Sequence, residues 1–261
     1  MTQAAGRQSI FITGAASGMG RETARLFHQQ GWFVGAFDVN QSGLEALQAE
    51  LGADNCLIHR LDVSDKGQYE TAVAAFSAAT DGRMDILFNN AGIIMSGFFD
   101  EMPLEDQLRM VQINLGGVLN GIYTALPLLK ATPNALCFNT SSSSATMGMP
   151  MIAVYAATKH AVKGLTEALS NEFRRFDVRC ADVLPGLIRT GMPSDELLRE
   201  APPTGPFRVI EAIEVARTVW EAYRSDTLHW FVPAELVNLD KAAGDNPEVL
   251  RDKLGRNMMP R

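Results

Sequence analysis

The chain has 261 residues and a formal charge of -7 at pH 7, with 46% hydrophobic and 20% charged residues. That apolar content supplies a core and excludes an extended disordered chain. The acidic balance excludes a surface that follows nucleic-acid phosphates, which takes its affinity from clustered Lys and Arg.

From the N-terminus, a short polar stretch with Arg7 precedes the first apolar run, too little for the h-region of a signal peptide. Short β-branched or aromatic runs follow at Ile10–Thr13, Trp32–Asp38, Cys56–Val63, Asp85–Asn89, Ala135–Thr140 and Val178–Leu184, and each predicts a strand. Between them lie predicted helices: Met19–Gln30 ending at Gly31, a segment with Leu44, Leu47 and Leu51 before Gly52, and Tyr69–Ala78 after a cap at Ser64 or Asp65. Alternating strands and helices predict a single α/β domain over residues 1–261, a doubly wound, Rossmann-like parallel sheet whose ligands bind beyond the strands' carboxyl ends.

Two longer helical stretches follow, Leu104–Ala131 and Ala153–Phe176, and Gly116 and Gly117 predict a kink in the first, beside Asn114. Residues 191–210, rich in Pro and framing a short helix Asp195–Arg199, predict a substrate loop over the ligand edge. No run approaches the roughly 20 apolar residues of a spanning helix, so a soluble protein without a membrane partner is expected. Cys56, Cys137 and Cys180 sit in strand-like runs and read as reduced core residues, which predicts a cytoplasmic location. His28, His59, His160 and His229 lie far apart without paired ligands, so no metal is expected.

The first strand runs directly into Thr13–Gly20, where Gly14, Gly18 and Gly20 permit a tight turn and, with Ser17 and Met19, bring a phosphate close to a helix N-terminus. The turn lacks the Lys-Ser/Thr ending of a P-loop, which disfavours a nucleoside triphosphatase. Asp38 ends the second strand about 20 residues on, placed to accept hydrogen bonds from an adenosine ribose and to repel a 2′-phosphate. Ser17 and Val39 offer no compensating charge, so NAD is the expected cofactor rather than NADP. Asp62, with Val63 after it, either meets the adenine edge or caps the next helix.

Tyr155 and Lys159 are one helical turn apart on one face. A free Tyr ionises near pH 10 and is a poor proton acceptor at neutral pH. An ammonium about 4 Å away, at an effective dielectric of about 20, favours the phenolate by about 4 kcal/mol, so the pair is expected to lower the Tyr155 pKa and provide an acid/base.

With Ser142 at the end of the fifth strand and Asn114 in the kinked helix, the pattern resembles the short-chain dehydrogenase/reductase family. Thr13–Gly20 (TGAASGMG), Asn89–Gly92 (NNAG), Tyr155–Lys159 (YAATK) and Pro185–Thr190 (PGLIRT) carry the resemblance in order along the chain. It implies a small-molecule oxidoreductase with a tetrad of Asn114, Ser142, Tyr155 and Lys159. Ser142 would bond the substrate oxygen, Tyr155 would be the acid/base, Lys159 would bind the nicotinamide ribose, and Asn114 would hold a water that relays protons. Asn90, Ala91 and Gly92 would line the adenosine side, and Pro185, Gly186, Ile188 and Thr190 the nicotinamide side. It also implies a homo-oligomer, a dimer or tetramer, packed through the two long helices. The chain departs from the family after Leu228–Pro233, where a polar helical tail, Pro247–Leu254, replaces the usual Gly-rich stretch.

Met95, Phe98, Met147, Met149, Met151, Leu187 and Met192 fall within expected reach of Ser142 and Tyr155, with Ser144 beside them. An apolar lining of this kind predicts a mainly apolar secondary alcohol or ketone, with Arg189 as the one uncommitted cation nearby. The rival readings are an NADP-dependent ketoacyl-type reductase, which Asp38 disfavours, and a non-catalytic dinucleotide sensor, which would be free to lose Tyr155 or Lys159.

Overall fold

In a computed structural model describing residues 6–258, the strands are β1 (Ser9–Thr13), β2 (Phe33–Asp38), β3 (Cys56–Arg60), β4 (Ile86–Asn89), β5 (Leu136–Thr140), β6 (Arg179–Pro185), β7 (Ile188–Arg189), β8 (Ile210–Glu211) and β9 (His229–Val232). Residues 1–5, part of the polar N-terminal stretch, and the last three residues lie outside the described ones. Seven strands form one parallel sheet in the order β3-β2-β1-β4-β5-β6-β9. The order reverses between β1 and β4, which opens a crevice at the strands' carboxyl ends.

Strand alternation divides the core into two layers. Ile10 and Ile12 face one layer, and Phe11 between them faces the other, stacked on Phe37 with ring centroids 3.8 Å apart. The first layer takes Phe27 of α1 (Gly18–Gln29), Leu44 and Leu47 of α2 (Gln41–Leu51), and Val215 and Val219 of α8 (Ala212–Ala222). The second takes Tyr69 and Phe76 of α3 (Lys66–Ala79), Val118 and Ile122 of α5 (Gly117–Ala131), and Val162 of α6 (Ala153–Glu172).

Predicted and observed strands agree to within a residue or two, except that β3 stops at Arg60 rather than Val63. Asp65 is the cap of α3, accepting from the Gln68 N–H at 3.0 Å, which settles the Ser64-or-Asp65 alternative. The kink expected from Gly116 and Gly117 has a different origin. α4 (Leu104–Val111) meets α5 through a π-helical turn, Gln112–Gly116, held by Asn114, whose amide bonds both the N–H and the C=O of Ile93. The second long stretch is helical to Glu172 and ends in a 3-10 turn, Phe173–Phe176, closed by Asp177 at φ 58.

Beyond β6, β7 pairs with β8 as a separate two-stranded sheet that pins both ends of the 191–210 loop, which carries α7 (Asp195–Glu200). The final strand β9 completes the main sheet, and two helices follow it: the unanticipated α9 (Leu236–Asp245) and α10 (Pro247–Met258), which spans the expected tail. Among the described residues no helix is long and apolar enough to cross a membrane, and no cluster of His, Cys, Asp or Glu is arranged to hold a metal ion. All three cysteines are buried and free.

Candidate functional site

A cleft of about 790 Å³ opens at the carboxyl ends of the strands, across the switch point. Its floor at β1 is the glycine turn. A Cβ on Gly18, at φ +52, would lie 2.8 Å from Thr190, and one on Gly20 would lie 2.2 Å from the Gly14 carbonyl oxygen. Only glycine permits this approach of turn, helix and the segment after β7. Ser17 places no capping side chain on α1, so the first N–H groups of the helix are open to an anion.

Asp38 stands at the end of β2 with its carboxylate fixed by two backbone donors, Ala16 N–H at 3.0 Å and Asn40 N–H at 2.9 Å. Remaining lone pairs are left for ribose hydroxyls. Asp62 also lines the cleft but turns locally, accepting from the Ser64 N–H and hydroxyl at 3.0 and 2.6 Å. Asn90 ties the next wall to the glycine turn, its amide donating to the Thr13 carbonyl at 2.9 Å. The Asn90 Oδ1 and Thr140 Oγ1 atoms are buried in the cleft lining without a hydrogen-bond partner among the described residues. An orphaned amide oxygen and hydroxyl, a glycine cradle and an open helix N-terminus fit a dinucleotide, for which Gly14–Met19 would meet the phosphates and Asp38 the adenosine ribose.

The other half of the cleft holds Ser142, Tyr155 and Lys159. Ser142 follows β5 and is held by Ser144, whose N–H donates to the Ser142 hydroxyl at 3.1 Å. The Lys159 Nζ donates to the Thr140 carbonyl at 2.8 Å and lies 5.7 Å from the Tyr155 ring centre. Asn114 stands behind the wall rather than on it: a Cβ at Gly92 would sit 3.2 Å from Asn114 Oδ1 and 3.5 Å from Lys159 Nζ. The absence of a side chain at Gly92 thus lets Asn114 and Lys159 approach the same point.

The expectation that Lys159 lowers the Tyr155 pKa needs correction for the free protein. Burial pushes the Tyr155 phenol up, with the Ser142 hydroxyl opposing, and the same burial brings Lys159 down to about 8. Desolvation is the leading cause at both groups, since each charged form is costly in a buried site.

Every predicted cofactor residue lines the cleft except Gly20, which packs beneath the turn. Of the substrate candidates, Met192 lines it. Met95 lines a separate small cavity and its N–H meets Met110 Sδ, Ser144 bonds Ser142, the Leu187 carbonyl accepts from Ile210, and Met149 is half-buried; none of these four is on the cleft wall. Arg189 points away, paired with Glu211 at 2.8 Å. The cation that reaches the cleft from outside the tetrad is Arg109, with Gln112 and Ile113 beside it. Nothing in the local sequence marks Arg109, because the π-helical turn sets which face of its helix meets the cleft.

The short chain dehydrogenase profile matches residues 8–200. Levodione reductase from Leifsonia aquatica is 33% identical over 207 residues, covering 77% of each chain. A short chain dehydrogenase/reductase from Burkholderia phymatum in complex with NAD superposes with a TM-score of 0.82 at 27% identity, covering 94% of this chain and 95% of the other. A 3-ketoacyl-(acyl-carrier-protein) reductase from Brucella melitensis complexed with NADH gives 0.78 at 26% identity, covering 86% and 96%. With its glycine turn, parallel sheet and Tyr-Lys helix in these positions, the chain belongs to the short-chain dehydrogenase/reductase family of oxidoreductases.

Proposed function

We propose that the protein is an NAD-preferring dehydrogenase/reductase acting on a mainly apolar secondary alcohol or its ketone, with Asn114, Ser142, Tyr155 and Lys159 as the catalytic group. The observation that carries this reading is the convergence of Ser142, Tyr155 and Lys159 on one cleft that also holds the glycine turn and Asp38. When bound, the dinucleotide supplies the hydride acceptor or donor. Ser142 donates a hydrogen bond to the substrate oxygen and stabilises its developing charge. Tyr155 Oη takes the alcohol proton in oxidation and returns it in reduction. Lys159, joined to Thr140 and next to Asn114, holds positive charge beside Tyr155 and reaches the nicotinamide ribose; Asn114 holds a water that relays the proton outward.

Asp38 supports NAD, since its fixed carboxylate repels a 2′-phosphate and the cleft residues Ser17 and Val39 carry no charge to offset it. Ile93, Ile94, Met192 and Pro193 on the wall support an apolar substrate body. Exposed Leu104, Leu108, Leu119 and Tyr123 on α4 and α5 support a homo-oligomer through these helices, and the buried free thiols support a reducing, cytoplasmic compartment. The test is a panel of secondary alcohols and ketones with NAD, NADP and their reduced forms, followed at the nicotinamide absorbance band. Turnover with NAD and apolar substrates is expected; no turnover of any member, or equal use of both cofactors, overturns the corresponding part.

A further inference from the structure

Four charged side chains line the cleft: Asp38, Asp62, Arg109 and Lys159. A dinucleotide brings an anionic pyrophosphate into a wall whose carboxylates and cations are evenly matched. Lys159 is buried and bonded to the Thr140 carbonyl, on the side of Tyr155. Arg21, near the start of α1, is drawn to Glu50 at 3.6 Å. Arg109 alone of the cleft cations is exposed, and it enters no ion pair among the described residues, although Glu105 and Asp106 precede it on its own helix.

Its helix fixes which half of the cleft it serves. On α4 and the π-helical turn, Met110 and Asn114 form the edge that faces Ile93–Met95 and Thr158, the Tyr155 side. The adjoining edge carries Arg109, Ile113 and Gly117, one turn apart, and at Gly117 this edge rests on Val63: a Cβ there would lie 2.6 Å from the Val63 side chain. Val63 and Asp62 follow β3, at the adenosine end of the cleft. Arg109 therefore stands about two turns from the Val63 contact, on a helix that continues into the second core layer, whereas the glycine turn opens α1 of the first.

We propose that Arg109 is a dinucleotide-binding residue that contacts the pyrophosphate from the wall opposite the glycine turn. The turn offers backbone N–H groups from one side, and the guanidinium fork offers charge-assisted donors from the other. No residue of the glycine turn supplies a positive charge. This inference rests on the dinucleotide reading and adds to it a residue outside the recognised motifs.

The test is calorimetric binding of NAD, NADP, ADP-ribose and adenosine to the wild type, Arg109→Gln and Arg109→Lys. Arg109→Gln is expected to weaken NAD, NADP and ADP-ribose alike by about tenfold, near 1.4 kcal/mol, to flatten the salt dependence of their binding, and to leave adenosine unchanged. Arg109→Lys should recover part of the loss. A loss confined to NADP would assign Arg109 to the 2′-phosphate, an equal loss for adenosine would assign it to stacking, and unchanged binding of ADP-ribose would remove it from the site; each overturns the proposal. Wild type that binds neither NAD nor ADP-ribose would overturn the dinucleotide reading itself, a distinct failure.

Discussion

The two sides of the switch point are held by different means. On the β1–β2 side, geometry comes from the backbone: glycines at Gly14, Gly18 and Gly20, N–H groups that fix Asp38, and Asn90 laced to Thr13. On the β6–β9 side it comes from side-chain pairs far apart in the chain: Lys163 with Asp240, His229 with Asp182 and Glu167, Arg189 with Glu211, Arg208 with Glu235. A backbone-built region tolerates change only at its special residues, whereas a pair-built region depends on partners that no local pattern announces. The Tyr155–Lys159 face of α6 joins both, since Lys163 and Glu167 continue it by successive turns into the pair-built side.

The sharpest break is at that junction. Tyr155→Phe deletes the proposed proton acceptor and little else, so turnover should fall by about 10³-fold or more while NAD binding stays within about twofold of wild type. Substantial residual activity in stopped or continuous assays would remove Tyr155 from the role given above.

Lys159→Ala comes next, with an expected loss of about 10²-fold in turnover together with weaker NAD binding, because one side chain serves both. The pH profile carries the sign. In the free protein burial raises Tyr155 and brings Lys159 to about 8, so below that pH Lys159 is mostly the ammonium that favours the phenolate. Oxidation needs the proton acceptor free and should accelerate as pH rises toward the alkaline range; reduction should slow over the same range. An oxidation rate flat between pH 6 and about 9 would separate the measured step from this proton transfer.

Asp38→Ala tests the backbone-built side. Wild type is expected to favour NAD by more than about tenfold in kcat/KM, and the variant should narrow that ratio by about tenfold through lost repulsion of the 2′-phosphate. A ratio that does not move would mean the Ala16 and Asn40 N–H groups hold the carboxylate clear of the ribose.

What was legible follows the same division. Strands β1 to β6 announce themselves because both sheet faces are covered and the runs are near-continuously apolar. The glycine turn, Asp38 and the Tyr-Lys pair are legible because each acts through spacing along one element. The π-helical turn is not, since glycine content predicts weakness but not i→i+5 bonding, nor the bonds that join Asn114 within it to Ile93. Arg109 stayed hidden behind that turn, and the direction of Arg189 is not legible because its partner Glu211 lies 22 residues on. α9 is likewise announced by no local pattern: it is tied to α6 by Lys163, 77 residues before Asp240.

The smallest predicted effect probes the pair-built side by itself. Asp182 is fully buried on β6, bonded to His229 Nδ1 at 2.7 Å, with its second oxygen unpartnered. Glu167 of α6 faces the other ring nitrogen at 3.3 Å, and Lys163 bears on the ring as an opposing charge. Burial pulls the His229 pKa down, but the bond and charge of Asp182 outweigh it and the imidazole ends above its usual value. Burial raises Asp182 as well, with His229 opposing. A base whose folded pKa exceeds its unfolded value stabilises the native state while both states are protonated, below the unfolded pKa of about 6.5. That contribution is lost as pH rises from there through the folded pKa. The wild-type Tm should therefore decline across the neutral to mildly alkaline range, and in His229→Gln, which keeps a donor for Asp182 but cannot titrate, this decline should flatten by a few degrees. Activity at saturating cofactor should change little, because the pair lies on β6 and β9 and meets α6 only at Glu167, two turns along the helix from Lys159. Parallel Tm curves for the two proteins would show that the His229–Asp182 bond holds the edge of the sheet without its charge contributing to stability.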